Sequence, residues 1–421
     1  MRKKYWIITL VLSVLLAICI TFGITYGIMA NFSKQKDAEM NMLEESYKSY
    51  YEELIDDRYS SPFMEKLAYI DYYYSLYYAG EIDEEQLELY LANAYIEAAG
   101  DKFGAYYTAD DFASFMQESN GSLYGIGVTA IYNKEHVGIE ILTVIEDGPA
   151  DKEGLLPGDV IIAVNGVRVT LEGYYESIDA IKGEKGTSVQ ITVLRDGNEI
   201  NYTIIRDTIK IVAVTSHKYA LDSSIGIIRI SQFNETVPED LKKELGSLMS
   251  EGIKKVVFDL RNNPGGRLDA VVSALDYLLP EGNIVYVTDA NGTVTRTHKS
   301  DSICVTGVEF VVLVNEYTAS AGELFSAALR DYGMAKLVGT QTYGKGSMQT
   351  IYRLPDGSGL SLTTNKYNPP SNINYDKVGL TPDTAVELDE ELKNKNFYKI
   401  TDEEDNQLRA ACGILGYVDN N

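Results

Sequence analysis

The sequence predicts a mixed α/β domain with a largely parallel sheet and flanking helices. A small β-rich module precedes it, helical segments lie toward both termini, and a single N-terminal transmembrane helix carries the whole. Three observations lead there. From about residue 209 to 385, apolar runs such as "KKVVFDL" and "EFVVLVN" alternate with amphipathic ones such as "PEDLKKELGSLMSEG". Strands and helices in that order imply a parallel sheet covered on both faces. From about 119 to 208, short strand-like runs such as "GIGVTAIYN" and "DVIIAVNGVRV" are punctuated by glycine turns. Before both, the 26 residues from Tyr5 to Ala30 carry no charge, and about 20 apolar residues cross a bilayer as a helix.

Residues 1–31 read as a cytoplasmic leader and anchor. A cleavable signal peptide is the alternative, but its apolar core is shorter, about 7–15 residues. Arg2, Lys3 and Lys4 favour an N-terminus inside the cell, weakly opposed by Lys34 and Lys36. The expectation is a single-pass protein of the cytoplasmic membrane with everything after residue 31 outside. The chain has 37 Lys and Arg against 62 Asp and Glu, a net charge of −25. Such a surface repels nucleic acid and anionic headgroups, so no nucleic-acid partner is expected. Only Cys304 and Cys412 lie beyond the anchor, which is not a disulfide framework.

Residues 32–118 read as helical. In "DEEQLELYLANAYIEAA", Leu87, Leu91, Ala94, Tyr95 and Ala98 fall at helical spacing, and Gly100 ends the run. Residues 119–208 form the β-rich module, with a hairpin turned at Asp196-Gly197 and one helix, "YYESIDAIKG". Residues 209–385 form the α/β domain, whose active loops should follow the carboxyl ends of strands. Residues 386–421 read as a helical tail.

"NEYTASAGELF" places Ser320 after such a strand. Ser320-x-x-Glu323 before an apolar run is a capping box, and a nucleophile is the other reading. A nucleophile needs a base. His136 falls in a turn, His217 in "TSHKY" and His298 in a charged loop, none in a recognisable catalytic motif. No metal-binding motif occurs. Lys345, between Gly344 and Gly346 with Gln349 four residues on, is the remaining candidate. A free lysine is protonated at neutral pH, so it must be buried to act as a base. An amide such as Gln349 can hold the amine without restoring its charge, whereas a plain turn lysine is the alternative. "GTQTYGKGS" also nearly spells a phosphate-binding loop, but Gly346 offers no hydroxyl to magnesium, and a hairpin turned at Asp356-Gly357 follows where a helix is required. In "DLRNNPGGRLDAVV", the Pro264-Gly265-Gly266 turn can expose amides toward an oxyanion, with the Ala321 amide beside the serine.

Taken together and in this order, "GPADKEGLLPGDVIIAVNGVRV", "DLRNNPGG", "TASAGELF" and "GTQTYGKGSMQ" resemble the carboxy-terminal processing (tail-specific) proteases of the S41 serine peptidase family. The likeness covers nearly everything after the anchor, and "GDKFGAYYTADDFASFMQESNGSLYGIGV" resembles the family's entry into its PDZ domain. It implies a PDZ domain at 119–208 and a serine endopeptidase domain at 209–385. It also implies Ser320 as nucleophile, Lys345 as general base, Gln349 as the residue orienting the lysine, and an oxyanion hole from Ala321 with Gly265 or Gly266. The helix-start position of Ser320 fits both of its readings, because a positive helix end favours an oxyanion. Lys102-Phe103 and Ser320-Ala321-Gly322 depart mildly from the family's usual Pro-Tyr and Ser-Ala-Ala or Ser-Ala-Ser.

In the PDZ stretch, Tyr124, Gly125, Ile126 and Gly127 can form a nest for a chain-terminal carboxylate. Strand Val128–Ile131 can pair with the ligand. Ile126, Val128, Ile178 and Ile181 are candidates for its apolar pocket, or simply core. The expected partners are protein or peptide substrates with accessible C-termini and the membrane through the N-terminal helix. The resemblance suggests a homodimer, and no cofactor is implied. A non-catalytic PDZ scaffold is the main competing reading.

Overall fold

The structure, a computed structural model, describes residues 62–418 apart from 146, 394 and 396. The run at 5–30 read as an anchor lies outside the described residues. Among the described residues no helix is long and apolar enough to cross a membrane. The chain divides at residue 84 into two compact units. The described part of the first holds α1 (Pro62–Tyr77), whose tyrosines are largely exposed; Tyr73 and Tyr77, one turn apart, stack with ring centroids 6.2 Å apart.

The second unit opens at the second residue of α2 (Glu84–Ala99) and continues with β1 (Ala105–Tyr107) and α3 (Ala109–Ser119). Strand β1 departs from the all-helical expectation for 32–118. Its apolar and aromatic residues satisfy their backbone groups against a distant strand. The β-rich module follows: β2 (Ser122–Gly125), β3 (Val128–Asn133), β4 (Gly138–Val144), β5 (Val160–Val164), β6 (Val167–Arg168), α4 (Tyr174–Ile181), β7 (Ser188–Arg195), β8 (Asn198–Ile205) and β9 (Asp207–Lys210). Its main sheet runs β3-β4-β5-β7-β8, with β6 paired to β5 and β2 paired separately to β9. The hairpin β7–β8 turns at Asp196-Gly197, both at positive φ, which matches the right-handed twist of the strands. Alternate residues of β7, Val189, Ile191 and Val193, meet Ile139, Ile161 and Ile204 in the module's core.

The α/β domain contains β10 (Val214–Tyr219), β11 (Asp222–Ile230), α5 (Val237–Ser250), β12 (Lys255–Asp259), α6 (Leu268–Leu278), β13 (Gly282–Thr288), β14 (Val294–Ser300), β15 (Glu309–Val314), α7 (Ala321–Asp331), β16 (Ala335–Gly339), β17 (Ser347–Arg353), β18 (Gly359–Asn368) and β19 (Thr384–Ala385). One sheet runs β10-β11-β12-β15-β16-β19, parallel from β11 onward and antiparallel only at β10. Period 2 divides its side chains between two cores. Ile228 and Ile230 of β11 meet Leu245, Leu275 and Phe325 of α5, α6 and α7 on one face. Ile225 and Ile227 meet Leu408 and Cys412 of α8 (Asn406–Ile414) on the other. The buried Arg261 ties the tail to this sheet, donating to Asp259 at 2.8 Å and Asp405 at 2.7 Å.

A further sheet, β1-β18-β13-β14 with β17 on β18, stands beside the first. The hairpin β17–β18 matches the turn expected at Asp356-Gly357, whereas the hairpin β13–β14 has no counterpart among the expected elements. His298 therefore lies in a strand, not in a charged loop. Polar β14 carries no apolar alternation to reveal it, and its backbone pairing to buried β13 decides the matter.

Candidate active site

Strand β15 delivers the chain to Ser320, and α7 starts one residue later. Ser320 holds φ 53° and ψ −116°, a strained conformation for a non-glycine residue and one that clusters at active sites. The turn is over-determined around it. The Thr318 hydroxyl donates to the Leu260 carbonyl at 2.8 Å, and the Ala319 amide to the Asn263 carbonyl at 2.9 Å. The Ser320 amide donates to Glu323 Oε2 at 3.0 Å, the backward arm of the expected capping box.

Glu323 does more than cap. Its carboxylate is fully buried and accepts four hydrogen bonds. Oε1 takes the Thr342 hydroxyl at 2.5 Å and the Gly344 amide at 2.8 Å; Oε2 takes the Lys345 amide at 2.8 Å beside that of Ser320. One carboxylate thus fixes the main chain of both the serine and the lysine. Burial raises the Glu323 carboxyl above its ordinary range, opposed by those donors.

The Lys345 amine lies 4.6 Å from the centroid of the Phe103 ring. Burial lowers its pKa below the usual lysine range, while the Asp101 charge works the other way. Desolvation of this kind is what a lysine base requires. Phe103 belongs to the Lys102-Phe103 pair read as a mild departure outside the Ser–Lys pair. The structure puts its ring on the amine.

Gln349 does not hold that amine. Its Nε2 donates to Thr363 Oγ1 at 3.1 Å, and Thr363 in turn donates to Asp101 at 2.7 Å. The register of β17 shifts between Met348 and Gln349, which brings Gln349 opposite Thr363 on β18. The expected Gln349–Lys345 hydrogen bond is therefore replaced by a chain of side chains behind the lysine. The Ser320 hydroxyl finds another neighbour, the Tyr367 hydroxyl at 3.0 Å. No sequence pattern linked Tyr367 to the serine.

The Pro264-Gly265-Gly266 turn abuts Ser320. A Cβ on Gly265 would stand 2.7 Å from that of Ser320, and one on Gly266 would stand 2.2 Å from the Phe233 carbonyl oxygen. Both glycines hold positive φ, 101° and 138°. Only glycine fits such a conformation and approach together. The Gly265 amide already donates to Asn263 Oδ1 at 2.8 Å, so of the two expected donors it is the Gly266 amide that stays open. The Ala321 amide, in the first turn of α7, has no intrahelical acceptor. Gly265, Gly266, Ser320, Ala321, Lys345 and Gln349 all line one cleft of about 1000 Å³. His298 also lines it, its pKa lowered by burial and by Arg296. His217 pairs instead with Asp402 at 3.1 Å, away from the cleft lining.

The peptide-binding candidates sit in the β-rich module and do not line this cleft. Tyr124 and Gly125 pair with Thr208 and Asp207 in the β2–β9 ladder. Gly127 turns the chain with φ 82° into β3, an edge of its sheet. Ile126 and Ile181 are buried core, with Val128 and Ile178 partly buried against it. The two buried isoleucines are thus spent on the module's own packing. Val128 and Ile178 remain partly accessible, Val128 at the start of the edge strand β3.

Residues 224–386 match peptidase family S41, and residues 123–205 match the PDZ domain family. A carboxyl-terminal-processing protease of Synechocystis sp. is 34% identical over 310 residues, 73% of this chain and 71% of that protein. A CtpA-like serine protease assigned in Staphylococcus saprophyticus is 30% identical over 354 residues, 82% of this chain and 71% of that protein. A solved structure from Bacteroides fragilis NCTC 9343, described as a candidate S41 protease, aligns with 77% of this chain and 90% of its own. Its TM-score is 0.52 at 19% identity, a likeness of fold.

Proposed function

The chain belongs to the carboxyl-terminal-processing serine proteases of peptidase family S41 and carries a PDZ domain. From that premise we propose a membrane-anchored, extracytoplasmic endopeptidase that recognises protein C-termini through the PDZ domain and cuts with a Ser320–Lys345 dyad. The observation that carries the dyad is Glu323, whose buried carboxylate binds the main chain of both residues. The uncharged run 5–30 behind a basic leader supports the anchor.

In this reading the Ser320 oxygen attacks the scissile carbonyl while neutral Lys345 takes its proton. The Gly266 and Ala321 amides receive the developing oxyanion. The Lys345 ammonium then protonates the leaving amine, and water repeats the sequence on the acyl-enzyme. Burial favours the neutral amine, while the face of the Phe103 ring over it attracts the ammonium that forms once the proton is taken.

The test is cleavage of an unfolded protein with an apolar C-terminus by the full chain in detergent. Ser320→Ala and Lys345→Ala should both abolish it, while His298→Ala should retain it. Near wild-type turnover by Lys345→Ala, with His298→Ala dead, would transfer the role of base to the histidine. No Ser320-dependent turnover on any unfolded substrate would favour a non-catalytic scaffold.

A further inference from the structure

The Tyr367 hydroxyl stands 3.0 Å from the oxygen of Ser320 and 3.0 Å from the main-chain carbonyl oxygen of Lys345. We propose that Tyr367 is a further catalytic residue, which donates a hydrogen bond to the Ser320 oxygen whenever that oxygen carries negative charge. The proposal rests on Ser320 being the nucleophile, and it adds a group to that reading.

A phenol has one proton to donate, and two acceptors flank it. At rest the Lys345 carbonyl shares it, which keeps that carbonyl satisfied and the hydroxyl aimed at the site. Once charge builds on the serine oxygen, that oxygen is the stronger acceptor, because hydrogen bonds to ionised groups are about twice as strong as neutral ones. The proton then swings to it with no movement of the ring.

The ring has little freedom to move. Tyr367 is buried, its amide donates to the Gly346 carbonyl at 3.1 Å, and its ring meets Tyr375 edge-on at 6.2 Å. Preorganised donors of this kind cost no rearrangement at the moment of reaction. Burial also pushes the phenol well above its ordinary pKa, so it keeps its proton at working pH.

The step balances without moving the tyrosine's proton. In the attack, the Ser320 oxygen bonds to the carbonyl carbon, the carbonyl electron pair moves to its oxygen, and the serine proton passes to Lys345. In deacylation, water bonds to that carbon as its proton passes to Lys345; the bond between the carbon and the serine oxygen then breaks, the electron pair returns to the serine oxygen, and Lys345 gives that proton to it. Charge appears on the serine oxygen in both, and Tyr367 meets it in both.

The experiment compares the full chain with Tyr367→Phe, with Ser320→Ala as control. Loss of a hydrogen bond to a charged atom should lower kcat about 10–100-fold, leave KM within about twofold, and slow Ser320 labelling by a small fluorophosphonate. A second variant carries 3,5-difluorotyrosine at position 367, whose phenol ionises at lower pH. Phenolate cannot donate, so the high-pH limb of kcat should move to lower pH, which a packing role would not produce. The proposal fails if Tyr367→Phe keeps kcat within about twofold of wild type. It fails equally if the difluorotyrosine leaves the limb in place, including where Tyr367→Phe does not fold. Activity surviving in Ser320→Ala would instead sink the nucleophile assignment.

Discussion

Glu323 concentrates much of the site in one side chain. Removing it strands four donors, two of them buried, and each orphaned buried polar group costs about 1–3 kcal/mol. Glu323→Ala should therefore abolish cleavage and lower stability by several kcal/mol, shown by urea melts run beside the activity assay. Lys345 acts in the opposite sense. Its folded pKa is lowered, so between that lowered value and the ordinary lysine pKa, about 10.4, the unfolded chain binds the extra proton and stability rises with pH. Lys345→Met should raise the melting temperature at pH 7, and the gain should shrink as pH climbs toward that of free lysine. The same depression makes activity rise with pH through the lowered pKa. As a lost general base, Lys345→Met should cost about 10²–10⁴-fold in kcat. A melting temperature unchanged at pH 7 would mean that the amine is not desolvated.

At the scale of elements, what could be read from sequence divides along a physical line. Helix α7, the parallel strands and the Asp196-Gly197 hairpin carry periodicities or turn residues that are local, and sequence displays local patterns. Ser320, Lys345 and the double glycine were legible because each sits in a short motif on such an element. The role of Gln349 was not, because a register shift in β17 depends on what β18 offers across the ladder. Tyr367 was invisible for a similar reason: only the closing of β18 onto the Lys345 loop brings it to a serine 47 residues earlier. Strand β3 is an edge, and an extended ligand can add to such an edge through main-chain hydrogen bonds. Amidating a substrate's C-terminus should then weaken cleavage, and Gly127→Asp should do the same by placing an anion where one must bind. Equal cleavage of free-acid and amidated substrates would remove the module from recognition.

At the scale of the whole molecule, the tail is held by charge as well as by packing. Arg261 is 2% exposed and bridges Asp259 to Asp405. Truncating one partner of a buried pair costs about 3–5 kcal/mol, so Arg261→Ala should lose that much in urea unfolding. An unchanged midpoint would mean that water already reaches the pair. Burial would raise the Asp259 carboxyl, yet Arg261 holds it below its ordinary range. Its contribution is therefore present above the unfolded pKa, about 3.9, and is lost as pH falls through the lower folded value. The proposed anchor at 5–30 carries its own expectation. Protease added to intact protoplasts should digest the chain after residue 31, and full protection until lysis would reverse the orientation. On the sheet-facing side of α8, Cys412 is fully buried, its thiol pushed up to about 12. A thiol in that state is inert toward alkylating reagents, because only thiolate reacts. It becomes reactive when the tail lifts from the sheet, so Cys412 is a natural timer for that opening. The rate at which a maleimide captures it, after half-exposed Cys304, would count each departure of the tail under native conditions, with no label introduced.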